Sequence, residues 1–424
     1  MQLLKAISRT PLFKATSLNS VSILLKIGIG LITSKILAVF IGPGGLALVG
    51  NLRNFMTTVE SISTLGFQTG VIKYVADHKN DEAELKKIIS TVFFSLLGVT
   101  LLLSILLFAF SGVLNEAIFG SDLQYAVIFK ILALVLPWYA VTVLLIAVIN
   151  GLGRYKSVIY INIAGNIIGL LFSVFVVWKY ETFGALLSII VPPSLLFFVV
   201  FYFLNKQLRF ANTISWSVFD FGIIKKMSSY TLMAAVSSVL GPMVFLAIRN
   251  NAIESLGVDQ AGYWEAMNRI STYYIMFVST ILTVYFLPKL TWAETKKQSR
   301  AVFLSYYKSI FPLFVIGLIV LYFLRFYIVQ LLFTPEFLPV AGLFFWQLLG
   351  DVFKAASLIL GYQFFAQKLT TAFITTELLS LSITYFLSKY LIGIYQIEGL
   401  VIAHAITYFI YLVVLVIYFR KQIF

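Results

Sequence analysis

The amino-acid sequence predicts an all-α membrane protein with about twelve transmembrane helices in two six-helix lobes. Of its 424 residues, 60% are hydrophobic and only 11% are charged, and the mean hydropathy is +0.97. A soluble chain of this length could not keep so much apolar surface out of water. Apolar runs of about 20 residues, the length that crosses a hydrocarbon core of about 30 Å, alternate with short polar connectors. The ten residues from Leu101 are apolar on every face, as in a lipid-surrounded helix and unlike an alternating barrel strand.

Hydropathy and turn residues define the predicted spans in order along the chain. In the first lobe, residues 1–210, they are predicted at residues 17–40, 45–71, 88–111, 126–149, 158–178 and 185–204. In the second lobe, residues 211–424, they are predicted at residues 228–251, 262–287, 301–326, 341–366, 370–388 and 399–419. The connectors are too short to fold as a separate catalytic domain, so we expect transport rather than chemistry.

The distribution of Lys and Arg predicts the orientation of these spans. Twenty of them lie in loops or tails on one side, against Lys179 alone in the opposite loops. Under the positive-inside rule, both termini are therefore predicted to be cytoplasmic. Lys5, Arg9 and Lys14 precede an apolar run without a small-residue cleavage site, which predicts a retained helix rather than a removed signal peptide.

A faint internal repeat relates the two halves. A shift of 217 residues aligns Gly45 with Gly262 and Asn51 with Asn268. Two six-helix bundles with both termini inside predict parallel repeats, a transporter design in which the substrate path lies between the halves.

Ionisable side chains within a span are functional candidates because burying a charge in lipid is costly. Arg53 and Glu60 are seven residues apart and share a helix face; alternatively, both serve as buried polar contacts for neighbouring helices. Glu265 and Arg269, spaced i, i+4, predict an ion pair that neutralises itself. Arg249 lies near a span end, where its side chain could extend to the interface instead.

The remaining candidates lie in the first and tenth spans. Lys26 and Lys35 are nine residues apart, about 180° around an ideal helix, so both cannot face one cavity without a bend. We expect Lys26 to be central and Lys35 to extend to the interface. Asp351 and Lys354, spaced i, i+3, could pair, and Asp351 could either orient the lysine or carry a coupling proton.

These patterns together predict an anion-binding site. The predicted substrate-binding residues are Lys26, Arg53, Arg249, Arg269 and Lys354, the predicted coupling or orienting residues are Glu60 and Asp351, and the secondary candidates are Lys35, Asn51, Asn268, Glu265 and Glu377. With Lys35 included, six candidate cations are counted against the three anions Glu60, Glu265 and Asp351. The excess over these three anions is three positive charges. A cavity lined in this way favours a phosphate-bearing cargo over a cationic drug.

The sequence lacks the residue patterns that ATP hydrolysis, metal binding or nucleophilic catalysis would need. There is no cysteine and no GxxxxGK[ST] sequence, and His78 and His404 are too isolated to predict a metal site or a triad, so no cofactor or metal is expected. We expect His404 to be a hydrogen-bonded packing residue. The net charge of +14 lies mainly in loops, where it indicates topology rather than nucleic-acid binding.

Three segments carry a family resemblance. Residues 26–55 read KIGIGLITSKILAVFIGPGGLALVGNLRNF, residues 284–290 read VYFLPKL, and residues 345–354 read FWQLLGDVFK. In this order, they resemble the Wzx-type lipid-linked oligosaccharide flippases, above all those for enterobacterial common antigen and O-antigen units. The resemblance covers Lys26, Lys35, Arg53, Arg249, Asp351 and Lys354. It does not cover Arg269, whose role rests on charge and position alone.

The resemblance implies a fold similar to multidrug and toxin extrusion transporters and a multi-pass protein of the bacterial inner membrane. It implies that undecaprenyl-diphosphate-linked glycans are flipped from the cytoplasmic to the periplasmic leaflet by alternating access through a cationic central cavity. Besides the glycolipid and membrane lipids, it suggests a polysaccharide polymerase and a chain-length regulator as partners. The sugars carried and the coupling ion stay open.

Three alternatives are less well supported. A cation-coupled multidrug antiporter of the same fold would favour a lone acidic site, against the cationic excess seen here. A glycan polymerase or ligase would need a large periplasmic loop, and the predicted periplasmic connectors have at most about 15 residues. A purely structural membrane protein would have little reason to keep six cations in its spans.

Overall fold

The computed structural model describes residues 11–120, 125–208, 214–225, 227 and 236–423, and all regular structure in these residues is helical. Nine helices in this part of the chain are long and apolar enough to cross a membrane. The predicted class, an all-α multi-pass membrane protein, is confirmed. The count of about twelve spans and the cytoplasmic termini stay predictions. Three predicted features lie wholly or partly outside the described residues: the tail at residues 1–10, the lobe boundary at residues 210 and 211, and the start of the span at 228–251.

The chain forms two compact units. Unit 1 comprises Met1–Phe40 and Asn51–Pro242, and unit 2 comprises Ile41–Gly50 and Met243–Phe424. A ten-residue segment from the N-terminal part of the chain thus belongs to unit 2.

Unit 1 is built around one apolar helix. Its helices are α1 (Pro11–Ser63, except Ile41–Gly50, which belongs to unit 2), α2 (Gln68–Asp77), α3 (Glu82–Ala109), α4 (Ser111–Phe119), α5 (Ala126–Gly151), α6 (Tyr155–Ile190) and α7 (Pro192–Leu208). Helix α5 packs against α2, α3, α4, α6 and α7. Because it is apolar on nearly every face, burial at the centre of the unit is its favoured place.

Two breaks divide the long helices α1 and α6. In α1, Gly42 adopts φ +61° and ψ −169° before Pro43, whose missing N–H could not continue the helix ladder. In α6, Glu181 adopts φ +47° and ψ −122°. Both breaks lie within connectors predicted from sequence. Helix α3 begins six residues before its predicted start, since Asp81 accepts hydrogen bonds from the N–H groups of Ala83 and Glu84.

Unit 2 is also organised around a central helix. Its helices after residue 240 are α8 (Gly241–Leu256), α9 (Val258–Ile281), α10 (Leu287–Thr291), α11 (Lys296–Phe323), α12 (Arg325–Leu332), α13 (Val340–Ala366), α14 (Thr370–Tyr395), α15 (Glu398–Tyr418) and α16 (Arg420–Ile423). Helix α13 packs against α9, α11, α14 and α15. The candidate polar residues of this unit therefore come together around α13.

Candidate functional site

The segment Ile41–Gly50 packs closely on α9 through small residues. A Cβ at Gly262 would lie 2.0 Å from the carbonyl oxygen of Pro43, and a Cβ at Gly44 would lie 2.9 Å from an Asp259 carboxylate oxygen. A Cβ at Gly50 would lie 2.6 Å from Oε2 of Glu265. Because no larger residue fits these positions without displacement, the glycines set how closely the segment approaches α9.

Three buried charges lie against this segment. Arg249 Nη2 donates to Glu265 Oε2 at 2.6 Å, and Arg269 Nε donates to Glu265 Oε1 at 3.4 Å. All three residues are almost completely buried: Arg249 is 2% exposed, and Glu265 and Arg269 are each 4% exposed. The Arg249 guanidinium also lies 5.2 Å from the ring centre of Trp264. The predicted pair of Glu265 and Arg269 is thus part of a triad with one net positive charge.

Asp351 is the acceptor at the centre of a second buried cluster. Its Oδ2 accepts hydrogen bonds from Ser271 Oγ at 2.7 Å, Tyr274 OH at 2.5 Å and Gln347 Nε2 at 3.2 Å. Its Oδ1 lies 3.0 Å from Nε2 of His404. Asp351 is 0% exposed. Residues from α9, α13 and α15 therefore share one carboxylate.

Gly350 allows α15 to come close enough for this contact. A Cβ at position 350 would lie 2.3 Å from Cδ2 of His404 and 3.0 Å from the backbone of Ala405. The Gly-Asp pair of the sequence WQLLGDVFK thus has two functions. Gly350 leaves space for the His404 ring, and Asp351 contacts that ring.

The spacing of Asp351 and Lys354 does not produce a direct ion pair. Among the described residues, the basic side chain within ion-pair distance of Asp351 is His404. The Lys354 ammonium lies 5.0 Å from the ring centre of Tyr408, and it interacts electrostatically with Asp351 and with Glu377 of α14. The half-buried lysine is thus held by an aromatic ring and by two carboxylates beyond ion-pair distance.

The candidates in unit 1 differ in how far they are exposed. Lys26 and Arg53 are exposed, and Lys35 is partly exposed. Glu60 is partly exposed and interacts with the Tyr139 hydroxyl of α5. Asn51 is fully buried and donates through Nδ2 to the Ile118 carbonyl at 2.8 Å, an inter-helix contact.

An apolar cavity of about 430 Å³ lies in unit 2 and is lined only by α9 and α11. Tyr274 contributes to its wall, together with aliphatic residues and Phe277 and Phe314. With no charged residue in its lining, this cavity does not suit a diphosphate. Within the described residues, no group of three His, Asp or Glu side chains could hold a metal ion.

Comparison with known proteins identifies the family. A family model described as polysaccharide biosynthesis protein matches residues 12–291, which is more than half of the 424 residues. The chain belongs to this family. Proteins similar to this chain include the lipid III flippase of Escherichia coli K12, with 28% identity over 403 residues, 94% of this chain and 96% of the relative.

Two solved structures show the fold of this family member. An inward-facing multidrug resistance transporter of the MATE family matches with a TM-score of 0.77 at 13% identity, over 94% of each chain. The lipid II flippase MurJ in an inward closed conformation matches with a TM-score of 0.74 at 16% identity, over 95% of this chain and 89% of that chain. The MATE-like fold predicted from the sequence is confirmed.

Several residues around the candidate site of this polysaccharide biosynthesis protein were not predicted from the sequence: Ser271, Tyr274, Gln347, Tyr139 and Tyr408. One local signal was available, because Gln347 and Asp351 are spaced i, i+4 on α13. The predicted secondary candidate Asn268 is half-buried on α9, and its Nδ2 has no hydrogen-bond partner within the described residues.

Proposed function

We propose that this protein flips an undecaprenyl-diphosphate-linked oligosaccharide from the cytoplasmic to the periplasmic leaflet of the bacterial inner membrane. The observation that carries the proposal is the similarity to the Escherichia coli lipid III flippase, which extends over 94% of this chain and 96% of the relative. A relationship of that extent includes both units rather than a shared fragment.

In the proposed mechanism, no covalent bond is made or broken. The polar head group needs shielding from hydrocarbon, and its diphosphate needs compensating positive charge while it crosses. Arg53 and Lys354 are proposed to contact the diphosphate, with Lys26 as a further contact. The exposed position of Arg53 supports this role, because its guanidinium can present two parallel N–H groups to phosphate oxygens.

Arg249 and Arg269 have a conditional role in this proposal. Both donate to Glu265 and are almost completely buried. They can bind an anionic cargo only in a conformation in which Glu265 releases them. In the conformation described here, their function is to hold α8, α9 and the segment Ile41–Gly50 together.

The test is reconstitution. Proteoliposomes containing the full chain and a lipid-linked oligosaccharide should move that lipid between leaflets, as measured with a membrane-impermeant probe for the sugar. Transport of a cationic dye with no movement of the glycolipid would instead establish the multidrug alternative. Association with a polymerase and a chain-length regulator is a further proposal, tested by co-purification after cross-linking.

A further inference from the structure

We infer that His404 is the proton-binding residue of the transport cycle, and that Asp351 holds its imidazolium in place. The inference rests on the proposed flippase function, because it names the residue through which a proton gradient would act. It differs from the sequence-based hypothesis, in which Asp351 itself carried the proton or oriented Lys354.

The hydrogen bonds around Asp351 favour an ionised carboxylate. Ser271, Tyr274 and Gln347 all donate to Oδ2, and His404 contacts Oδ1. An ionised carboxylate only accepts and can satisfy all four partners. Because Oδ2 already accepts three hydrogen bonds, a proton bound to this pair lies on the Oδ1 side, between Asp351 and Nε2 of His404.

His404 is the more exposed member of the pair. Its side chain is 12% exposed, whereas that of Asp351 is 0% exposed. Imidazole is also the side chain whose ordinary titration falls between about pH 5 and 8, where cellular proton gradients operate. A proton entering this cluster would therefore arrive at the imidazole, and the imidazolium would keep the same 3.0 Å contact with Asp351.

Charged and titratable side chains surround His404 and extend to Lys354, where the cargo is proposed to bind. Helix α15 packs against α13 and α14, which contribute Asp351, Lys354 and Glu377, while α9 contributes Tyr274. On α15 itself, the Tyr408 ring lies 4.7 Å from the His404 ring and 5.0 Å from the Lys354 ammonium, and Tyr411 lies next to Tyr408.

The charge state of His404 affects the electrostatics around Lys354. With both carboxylates ionised, Asp351, Glu377 and Lys354 carry one net negative charge when His404 is neutral and none when it is protonated. Protonation thus changes the local charge near Lys354, where the diphosphate is proposed to bind, so that proton uptake and cargo binding are coupled.

The first experiment measures the proton directly and does not require transport. The chain has two histidines, so His78→Gln leaves one imidazole, whose ¹⁵N resonances report its protonation state in reconstituted protein. We expect this resonance to report proton uptake when the pH is lowered from about 8 to about 5, and the additional variant Asp351→Asn to change that response. An imidazole that stays neutral throughout that range would overturn the inference whether or not the protein is a flippase.

The second experiment measures coupling in proteoliposomes. His404→Gln keeps an N–H near the position of Nε2 but cannot bind a proton, so stimulation by a pH gradient should disappear while downhill movement of glycolipid persists. His78→Gln is the matched control, because its Nδ1 contacts the Tyr74 carbonyl in the turn after α2, and it should keep the stimulation. Persistent stimulation in His404→Gln, or none in the wild type, contradicts the inference. Absence of any glycolipid movement in the wild type would refute the proposed function instead.

Discussion

Arg53 is the exposed span cation that most directly tests the proposed contact with a diphosphate. Arg53→Ala should lower the rate of glycolipid flipping by about 10- to 100-fold, the effect of losing a charge-assisted hydrogen bond. Arg53→Lys should restore only part of the rate, because ammonium keeps the charge and loses the planar fork. Lys354→Ala should have a similar effect to Arg53→Ala. Rates are measured in proteoliposomes at equal protein content.

The control for these variants is Lys130→Ala. Like Arg53, Lys130 is an exposed cation on a predicted span, and its ammonium lies 5.7 Å from the centre of the Phe108 ring. The Lys130→Ala variant should flip the glycolipid at the wild-type rate. Normal flipping by both Arg53→Ala and Lys354→Ala at wild-type abundance would remove the basis for a cationic binding site.

Glu265 is expected to be a stability residue in the described conformation. Glu265→Ala leaves Arg249 and Arg269 as buried cations without their shared carboxylate, a change that typically costs about 3–5 kcal/mol. The midpoint of thermal unfolding in detergent should fall markedly. Glu254→Ala is the matched control, because Glu254 is exposed on α8, and its midpoint should be unchanged. Equal midpoints for the two variants would show that the triad contributes little to stability.

Helical spacing predicts contacts within a helix better than contacts between helices. The pair of Glu265 and Arg269 follows from the i, i+4 spacing, but Arg249 joins it from another helix. The i, i+3 spacing of Asp351 and Lys354 suggests a direct ion pair, whereas in the described structure the two charges interact only at longer range. The aspartate instead contacts His404, 53 positions later, because helix packing around Gly350 and not local spacing decides which side chains meet.

At the scale of elements, the close contact of α9 with the segment Ile41–Gly50 depends on Gly262. In Gly262→Ala, the new Cβ would lie 2.0 Å from the backbone carbonyl of Pro43, which cannot rotate away as a flexible side chain can. Overpacking of this kind costs about 1–3 kcal/mol, so the unfolding midpoint should fall.

Gly361→Ala provides the comparison for Gly262→Ala. Gly361 lies within α13, and a Cβ there would meet nothing within 4 Å. Since alanine is favoured over glycine inside a helix by about 1 kcal/mol, this variant should be as stable as the wild type or more so. A lower midpoint for Gly361→Ala than for Gly262→Ala would contradict the argument.

Helix boundaries were predictable where the sequence contains a local break and less so elsewhere. The Gly42-Pro43 pair ends one helical run and starts the next, and the sequence places this break correctly. The start of α3 was missed because hydropathy ignores its charged first turn, Glu82 to Glu84, which the Asp81 cap and the helix dipole stabilise. Membership of Ile41–Gly50 in unit 2 was not predictable, since its glycines contact residues far along the chain.

At the scale of the whole molecule, the sequence predicts the fold class because lipid allows few solutions. A chain with 60% hydrophobic residues in repeated long runs must satisfy its backbone internally, and helices do so within each span. Charge is distributed differently in the two units. The candidate cations of unit 1 are exposed or partly exposed, whereas Arg249 and Arg269 of unit 2 are buried against Glu265. Composition alone could not predict that difference.

The orientation of the molecule can be tested because the chain contains no cysteine, so that one introduced cysteine is labelled alone. The excess of Lys and Arg in one set of loops predicts that Asn80 is cytoplasmic and that the loop after α3 is periplasmic. Asn115 itself is a poor reporter position, since it is buried and accepts a hydrogen bond from the Tyr125 N–H at 2.7 Å. Its exposed neighbour Glu116 is better suited.

In spheroplasts, a membrane-impermeant maleimide should therefore label Glu116→Cys directly and label Asn80→Cys only after lysis. Both positions are exposed, so a difference in labelling reflects the side of the membrane rather than burial. Lysed samples of both variants serve as the control for reactivity. Labelling of Glu116→Cys only after lysis would reverse the predicted orientation, and the direction proposed for glycolipid movement would then lose its topological support.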